Sequence, residues 1–431
     1  MTAYWRLLKT NRNFRFAWLG QVVSETGDWL YAVVLYALLL EFTGKAESVG
    51  LALVFQVLPQ VLVSPMAGVL NDRISRRKIM IAVDLLRFWA IAGMLLVRTP
   101  DRLWLLWCLL AMETMLWGFF EPARSAIIPV ITHSEEEKLA ANTLGGITWS
   151  ACFFLGSSLG GWIAAYAGRD FVFALDACTF LLSAWFISRM TFEEPHTQAH
   201  AGFRLRDMFD FQPMWEGIRY IAGERHRRVL ILAKGGVGLL GSNYVILTLL
   251  GQRDFPLTWS GRSAAEAGML GISALMAARG VGAILGPLAS TSWCGTGKIR
   301  MKWMIAAGFA AVLAGYGALS QTRSYWPAFG AVALAHAGAS TVWVLSATLL
   351  QDYSDDAFRG RVMAADFACL TTAISLSSYL AGISVDAGVP VRTVALVTGV
   401  VMLLPLSLWL VFTRGWFPRG QSLPPAPAAE A

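Results

Sequence analysis

Long apolar stretches alternate with short polar segments along almost the whole chain. A run of about 18 or more apolar residues predicts a membrane-spanning helix, because about 20 residues at 1.5 Å per residue cross a hydrocarbon core of about 30 Å. The runs lack the period-two alternation of barrel strands, and only helices or closed barrels satisfy their backbone in lipid. We therefore predict twelve transmembrane helices, numbered spans 1 to 12, over residues 17–42, 47–70, 79–98, 103–130, 139–166, 171–189, 229–250, 267–291, 301–322, 325–350, 362–386 and 391–413.

The longest internal polar segment divides the spans into two groups of six. We predict an N-terminal six-helix bundle over residues 1–189 and a cytoplasmic linker over 190–228. A C-terminal six-helix bundle over 229–414 and a disordered tail over 415–431 complete the predicted organisation. Other loops are too short to form a soluble catalytic domain.

Within the linker, one short segment has the pattern of an amphipathic helix. Trp215, Ile218 and Ala222 fall on one stripe of such a helix, whereas Glu216 and Arg219 lie off it. Tryptophan on the apolar stripe is typical of a helix that lies in the membrane interface. We predict a short interfacial helix at this position.

Charge composition agrees with a membrane protein and gives its orientation. Charged residues make up 15% of the chain, against about 25% in soluble domains. Most of the 35 Lys and Arg residues fall in the tails and in the even-numbered loops, which predicts cytoplasmic termini in the cell (inner) membrane. The basic residues behind the net charge of +7 would then face anionic membrane lipids, so we expect lipids as partners and no nucleic acid.

The sequence contains no recognisable motif for binding a cofactor or a metal ion. The five cysteines are scattered and have no CxxC spacing, so we expect neither disulfides nor a metal site. The phosphate-binding string GxxxxGK[ST] is absent, which argues against ATP hydrolysis. We expect no cofactor, with the proton gradient as the driving force.

One short segment between spans 2 and 3 is densely charged. In GVLNDRISRRKIM, five residues match the spacing of a known signature: Gly68, Asp72, Arg73, Arg76 and Arg77. The segment resembles the signature of the major facilitator superfamily, which stands between the second and third of twelve spans. Serine replaces the glycine that usually precedes the two basic residues, so a left-handed turn is not assured there.

Five further stretches resemble the branch of that superfamily that contains macrolide-efflux and enterobactin-exporter-like proteins. They are NRNFRFAWLGQVVSETGDWL, FEPARSAIIPVI, WEGIRYI, RGVGAILGP and FRGRVMAADFA. The resemblance implies an all-α polytopic fold with two six-helix bundles around a central cavity. It also implies secondary active transport by alternating access.

The resemblance further implies a cytoplasmic gate, in which the loop after span 2 packs against the start of span 11. The Asp72 carboxylate would lie near residues 358–361, at a helix N-terminus that attracts anions. Basic residues of the gate would pair with Asp72, Glu121 or lipid phosphate. The alternative is that the basic cluster only sets membrane orientation, which does not explain Asp72. The predicted gate comprises Gly68, Asp72, Arg73, Arg76, Arg77, Arg124 and Arg361.

Ionisable residues inside the predicted spans are candidate functional groups, because each costs free energy to insert into lipid. Glu25 and Asp28 share one face of span 1, while Glu113, Arg279 and His336 lie in the middle of spans 4, 8 and 10. By the resemblance, spans 1, 4, 7 and 10 line the cavity. Our hypothesis is that Asp28, with Glu25 or Glu113, carries the coupling proton in competition with substrate or with a pairing to Arg279.

The alternative is that these groups form buried pairs that fix helix packing. We prefer that interpretation for Asp84 and Arg87, which lie three residues apart on span 3. Lys234 and Asp176 lie near enough to span ends to reach the interface. His336 is equally open as a proton relay or as a satisfied polar group.

Glycine-rich stretches in spans 5 and 8, GSSLGG and RGVGAILGP, predict close helix packing at the interface between the bundles. In the resembled family such a pattern in span 5 often marks exporters, but its usual Gly-Pro pair is absent.

We predict a monomeric proton-coupled antiporter that exports an amphiphilic, macrolide-like or drug-like compound. Alternatives are an exporter or flippase of a siderophore or lysophospholipid, and, in another class, a membrane-embedded lipid-modifying enzyme. We expect no enzyme activity.

Overall fold

A computed structural model describes residues 3–194, 212–258, 263–295 and 297–416 of the chain. Eleven helical segments in these ranges are long and apolar enough to cross a membrane. The helix of span 3 completes the set of twelve: it has 19 residues and is less apolar because it contains Asp84 and Arg87. The predicted disordered tail lies outside the described residues from 417 onward.

The helices match the predicted spans with small shifts at their ends. Two short helices lie outside the spans: Ala3–Thr10 precedes span 1, and Gln212–Ala222 occupies the predicted amphipathic position in the linker. Spans 1 to 6 are Arg12–Thr43, Ala46–Arg73, Arg76–Met94, Leu103–Ile131, Glu135–Ala167 and Arg169–Ser188. Spans 8 to 11 are Ala264–Cys294, Lys298–Gln321, Tyr325–Asp352 and Asp356–Asp386.

Local sequence explains where several spans begin and end. The Asn11 side chain accepts a hydrogen bond from the Phe14 amide at 2.9 Å and starts span 1. Ser263 and Glu266 form a reciprocal capping box at the start of span 8. Gly44, with φ of 66°, ends span 1 in the left-handed conformation that glycine adopts without strain.

Two spans predicted as continuous are interrupted. Span 7 runs as Arg225–Gly238, a 3₁₀ turn, Asn243–Leu249 and a π turn that ends at Asp254. Its glycines let the backbone approach span 11 closely: a Cβ at Gly238 would lie 2.6 Å from the Leu370 carbonyl oxygen. Span 12 breaks at Met402 into Val391–Val401 and Leu403–Phe412. Pro405 accounts for the break, because it cannot donate a hydrogen bond to the preceding turn.

The spans pack into two six-helix bundles, as predicted. Spans 1, 3, 4, 5 and 6 pack against one another in the first bundle, with span 2 against span 4. In the second, spans 8, 9 and 10 form one group and spans 7 and 11 another. Contact between the bundles is made chiefly by span 2 with span 11 and by span 5 with span 8. With twelve spans, both termini lie at the same face of the molecule, called here the termini face; the other is the opposite face.

Candidate functional site

A buried arginine joins three spans of the first bundle. Arg87 of span 3 is 1% exposed. Its Nη2 donates to both carboxylate oxygens of Asp28 in span 1, at 2.9 and 3.0 Å. Its Nε donates to Glu113 Oε1 in span 4 at 3.0 Å, and Nη2 bonds the same oxygen. A guanidinium has the fixed fork of donors that such paired carboxylates require.

Three more side chains surround this ion cluster. The Phe180 ring of span 6 lies 4.2 Å from the guanidinium carbon, a cation–π contact. Asp84 of span 3 and Asp176 of span 6 are both fully buried. Thr179 donates to Asp176 Oδ1 at 3.2 Å, whereas Asp84 lies beside Ser183 without a hydrogen bond of ordinary geometry. The cluster therefore holds four carboxyl groups and one cation, which bonds two of them.

This arrangement brings Asp28 and Glu113 together on one arginine and corrects two interpretations. That Asp28 carries the coupling proton stays a prediction. Arg87 does not pair with Asp84: adjacent spans offer it two better-placed acids. In this conformation Asp28 pairs with Arg87, and the proposed competition with Arg279 stays a prediction. Asp176 does not reach the interface, because it points into the bundle and not toward the span end.

Glu25 belongs to a second polar group, nearer the termini face. Its Oε1 accepts from Gln21 Nε2 at 2.9 Å, while Oε2 is buried without a partner. Gln21 Oε1 in turn accepts from Arg124 Nη1 at 2.9 Å, and Arg124 pairs with Glu121 at 2.6 Å. The Glu121 partner is one of those predicted for Arg124.

A pocket of about 90 Å³ opens beside this second group. Gln21 and Arg124 line it together with Asn142 of span 5 and apolar side chains of spans 1 and 4. Because Gln21, Glu25 and Asp28 succeed one another at three- and four-residue spacing, they follow one face of span 1. Polar groups thus lead from the pocket toward the buried arginine.

The second bundle contains an ion pair that the sequence analysis did not anticipate. Lys234 of span 7 bonds Asp366 of span 11, and both are buried, at 4% and 1% exposure. The Trp343 ring of span 10 lies 4.8 Å from the Lys234 ammonium. The prediction that Lys234 reaches the interface is wrong, because span 11 supplies a counter-ion inside the bundle. The signal was present: Asp366 is an acid within an apolar run.

Arg279 of span 8 lies where the second bundle meets the first, and His336 of span 10 lies inside the second bundle. Arg279 Nη2 donates to the Tyr244 hydroxyl at 2.8 Å. His336 Nε2 meets the Tyr316 hydroxyl at 3.2 Å, which makes it a satisfied polar group between spans 9 and 10. The five residues predicted for one cavity therefore fall into four polar environments: Asp28 and Glu113 share Arg87, while Glu25, Arg279 and His336 each have a different partner.

The charged loop after span 2 is anchored within the first bundle. Arg76 donates to the carbonyls of Asn71 and Ala126 at 3.1 and 2.9 Å. Arg77 donates to the Ile187 and Ser188 carbonyls at the end of span 6. In this conformation the two arginines are therefore held by backbone carbonyls of the first bundle.

The turn itself is tied to the chain that follows span 6. Ser75 has φ of −55°, so no left-handed turn forms there; its Oγ accepts from the Lys78 amide instead. The Glu194 carboxylate accepts from Ser75 Oγ and from the Arg76 amide, at 2.8 Å for the latter. Side-chain placement at Gly68 and Asp72 lies outside what the structure describes, so the predicted contact of Asp72 with span 11 stays a prediction.

The linker helix packs against the start of span 11. Arg361 pairs with Glu216 at 2.7 Å, and the Tyr220 ring stacks on Phe358 with centroids 4.3 Å apart. Tyr220 also donates its hydroxyl to Asp355 at 2.8 Å. Arg361 is therefore bound to the linker in this conformation.

The bundles meet in the half of the molecule nearer the opposite face. Tyr379 of span 11 donates to Glu47 of span 2 at 2.9 Å. The Gly161 amide of span 5 donates to Ser273 of span 8 at 2.8 Å. These hydrogen bonds join the two bundles in that half, so the molecule is closed toward the opposite face. The prediction that the glycines of spans 5 and 8 lie at this interface is confirmed for Gly161 and Gly280.

Other glycines of the span 8 stretch pack against span 10 of the same bundle. A Cβ at Gly282 would lie 2.9 Å from the Ala337 amide nitrogen of span 10, and Gly286 faces the same residue. No group of three or more His, Cys, Asp or Glu side chains suited to a metal ion occurs among the described residues.

Solved structures with this fold include transporters. The nucleoside transporter NupG superimposes with a TM-score of 0.68 at 11% identity, covering 93% of this chain and 99% of that one. A bacterial homologue of the lysosomal transporter Spinster, in an inward-facing and unoccupied conformation, gives a TM-score of 0.71 at 13% identity. It covers 93% of this chain and 97% of its own.

Curated relatives match over part of their length. A putative bacilysin exporter, BacE of Bacillus subtilis, is 28% identical over 41% of this chain and 44% of the relative. Macrolide efflux protein A of Streptococcus pyogenes is 30% identical over 28% of this chain and 31% of the relative. The matched segment of this chain thus spans less than half of either relative.

A family model agrees with the fold and with the charged loop after span 2. The model described as Major Facilitator Superfamily matches residues 17–377, which include most of both bundles and the linker between them. The chain therefore belongs to the Major Facilitator Superfamily.

Proposed function

We propose that the protein is a proton-coupled antiporter of the cell membrane that exports an amphiphilic organic compound by alternating access. The observation that carries this proposal is the Arg87 guanidinium bound to Asp28 and Glu113 at the centre of the first bundle. The exporter and efflux names of the relatives support the direction of transport. Membrane family, fold and relatives all favour a transporter over an enzyme.

Charge balance in the buried cluster explains why a proton would be exchanged there. If Asp28, Asp84, Glu113 and Asp176 were all ionised, one arginine would leave three uncompensated negative charges away from water. Burial of unpaired charge is costly, so the cluster favours bound protons. A proton added to Asp28 weakens its bond to Arg87 and so loosens span 1 from span 3.

A route for that proton runs along span 1. The unpartnered Glu25 Oε2 lies one turn from Asp28, and Gln21 links Glu25 to Arg124 at the pocket on the termini face. We propose that the termini face is cytoplasmic and that protons leave toward it by way of Glu25. In that case the conformation described, which is closed toward the opposite face, is the one that loads substrate from the cytoplasm.

Proton exchange in everted membrane vesicles with an acidic lumen tests the proposal. Macrolides, dyes, siderophores and lysophospholipids are added in turn, and an internal pH probe reports proton release. We expect one compound class to collapse the pH gradient with the wild type and not with Asp28→Asn. A matched control is Asp101→Asn, the same substitution at an exposed residue between spans 3 and 4.

Two outcomes would contradict the proposal. Release of protons by Asp28→Asn at the wild-type rate would show that Asp28 does not carry the coupling proton. Failure of every compound to move protons through the wild type, at equal expression, would exclude proton antiport for this panel. The class of compound that succeeds decides between a drug-like substrate and a siderophore or lysophospholipid.

A further inference from the structure

Arg279 lies at the seam between the bundles and not inside either one. Its guanidinium carbon is 4.5 Å from the Phe153 ring of span 5 and 4.3 Å from the Tyr244 ring of span 7. One ring belongs to the first bundle and the other to the second. The cation is therefore enclosed between two aromatic faces that move apart if the bundles separate.

Arg279 has no counter-ion among the described residues. Its hydrogen bond to the Tyr244 hydroxyl uses Nη2, while Nη1 is buried and has no acceptor. His336 of span 10 is already engaged with Tyr316. A buried cationic donor without an acceptor costs free energy that cation–π contacts compensate only in part.

The contrast with the other cations inside the spans is direct. Arg87 binds two carboxylates, Lys234 binds Asp366, and Arg124 binds Glu121. Each of them is neutralised within its own bundle. Arg279 is the exception among the described cations at this depth, and it stands at the bundle interface where alternating access would present a substrate.

An aromatic surface surrounds the cation. The Trp29 ring contacts Phe153 with centroids 4.6 Å apart, and Trp149 stacks on Phe153 at 6.1 Å. Tyr36 meets Tyr244 edge-on at 6.0 Å. Trp149, at the edge of this surface, is 41% exposed. Such a surface suits a flat or apolar body, whereas the free Nη1 donor suits an oxyanion.

We infer that Arg279 is the substrate-binding cation and that the transported compounds carry a carboxylate on an aromatic or apolar body. The inference rests on the proposed transport function and specifies its substrate class. The acid-rich cluster around Arg87 is already occupied by its own cation, so the anion of the substrate binds on the second bundle. A purely cationic compound gains nothing from Arg279.

A matched pair of dyes tests this directly. Rhodamine B has a free carboxylate, and its ethyl ester has the same ring system without that charge. Binding of each dye to the purified protein in lipid nanodiscs is measured by fluorescence anisotropy at pH 7, without a proton gradient. Wild type, Arg279→Gln and Arg279→Lys are compared with Arg98→Gln, which changes an arginine whose side chain is 73% exposed.

We expect the wild type and Arg98→Gln to bind the acid about tenfold or more tightly than the ester, since one charge-assisted hydrogen bond distinguishes them. Arg279→Gln should abolish that preference and leave ester affinity unchanged, while Arg279→Lys should retain part of it. An equal loss of affinity for both dyes in a folded Arg279→Gln protein would mean that Arg279 has only a packing role. Binding of neither dye to the wild type, or preference for the ester, would also overturn the inference. Because dye binding is measured without a proton gradient, its outcome does not depend on whether the transport assay shows proton coupling.

Discussion

Asp386, the last residue of span 11, accepts a hydrogen bond from the Glu47 amide of span 2 at 2.7 Å. Its other carboxylate oxygen accepts from the Ala46 amide at 2.8 Å. An anion is thereby placed at the N-terminus of a helix in the other bundle. The sequence predicted this kind of contact at the termini face, from Asp72 to span 11. The described residues form its counterpart at the opposite face, with the roles of spans 2 and 11 exchanged.

Asp386→Ala should open the opposite face. Loss of both acceptors removes about 1 kcal/mol of capping energy, a shift of roughly fivefold between two conformations. Spin labels at Asp101 and Arg323, exposed residues of the two bundles at that face, should report longer distances in a cysteine-free background. Asp352→Ala, which breaks the pair with Lys298 inside one bundle, should leave the distances unchanged. An unchanged distribution in Asp386→Ala would contradict a latch.

Gly280→Leu should favour the same opening by a steric route. A Cβ at Gly280 would already lie 2.9 Å from the Phe154 backbone and ring, so a larger side chain separates span 8 from span 5. Gly317→Leu is the matched control, because a Cβ there meets nothing within 4 Å. The distance between spin labels at positions 101 and 323 is measured in both glycine variants. Equal distances in the two glycine variants would show that spans 5 and 8 tolerate the added volume.

Arg87→Met should destabilise the first bundle strongly. Removal of the cation leaves the buried Glu113 and the partly buried Asp28 without their partner, which costs up to about 3–5 kcal/mol of unfolding free energy. Arg98→Met, which breaks an exposed pair with Asp170, should cost about 1 kcal/mol or less. Thermal unfolding in detergent compares them. The triple variant with Asp28→Asn and Glu113→Gln should recover much of the loss; no recovery would mean that Arg87 acts mainly through packing on Phe180.

Lys234 and Asp366 should behave as a structural pair. Asp366→Leu strands a buried ammonium and should cost about 3–5 kcal/mol, whereas Lys234→Met with Asp366→Leu removes both charges and should restore most of the stability. Since the pair lies inside the second bundle, the double variant should also keep transport. Unfolding temperature and transport rate are measured together. A stable double variant without transport would show that the pair takes part in the transport cycle.

Much of the candidate site was accessible to sequence reasoning, but its pairings were not. Spacing along span 1 put Glu25 and Asp28 on one face, and hydropathy made every buried charge conspicuous. The partner of Arg87 is set by which spans are neighbours, and sequence spacing favoured Asp84 on the same helix instead. The same limit concealed Asp366, because an acid inside an apolar run does not name the helix it faces.

The amino-acid sequence by itself determined the twelve spans, the two groups of six and the family, since membrane insertion depends on local hydropathy and the loop signature is a local string. Local chemistry also set span ends, through residues such as Asn11 and Gly44. Only the tertiary structure decided that Arg87 neutralises Asp28 and Glu113, that Asp386 caps span 2, and that Arg279 lies between Phe153 and Tyr244 without an acid. Those relations join residues far apart in the chain, and their free energy depends on distances between helices that no local pattern contains.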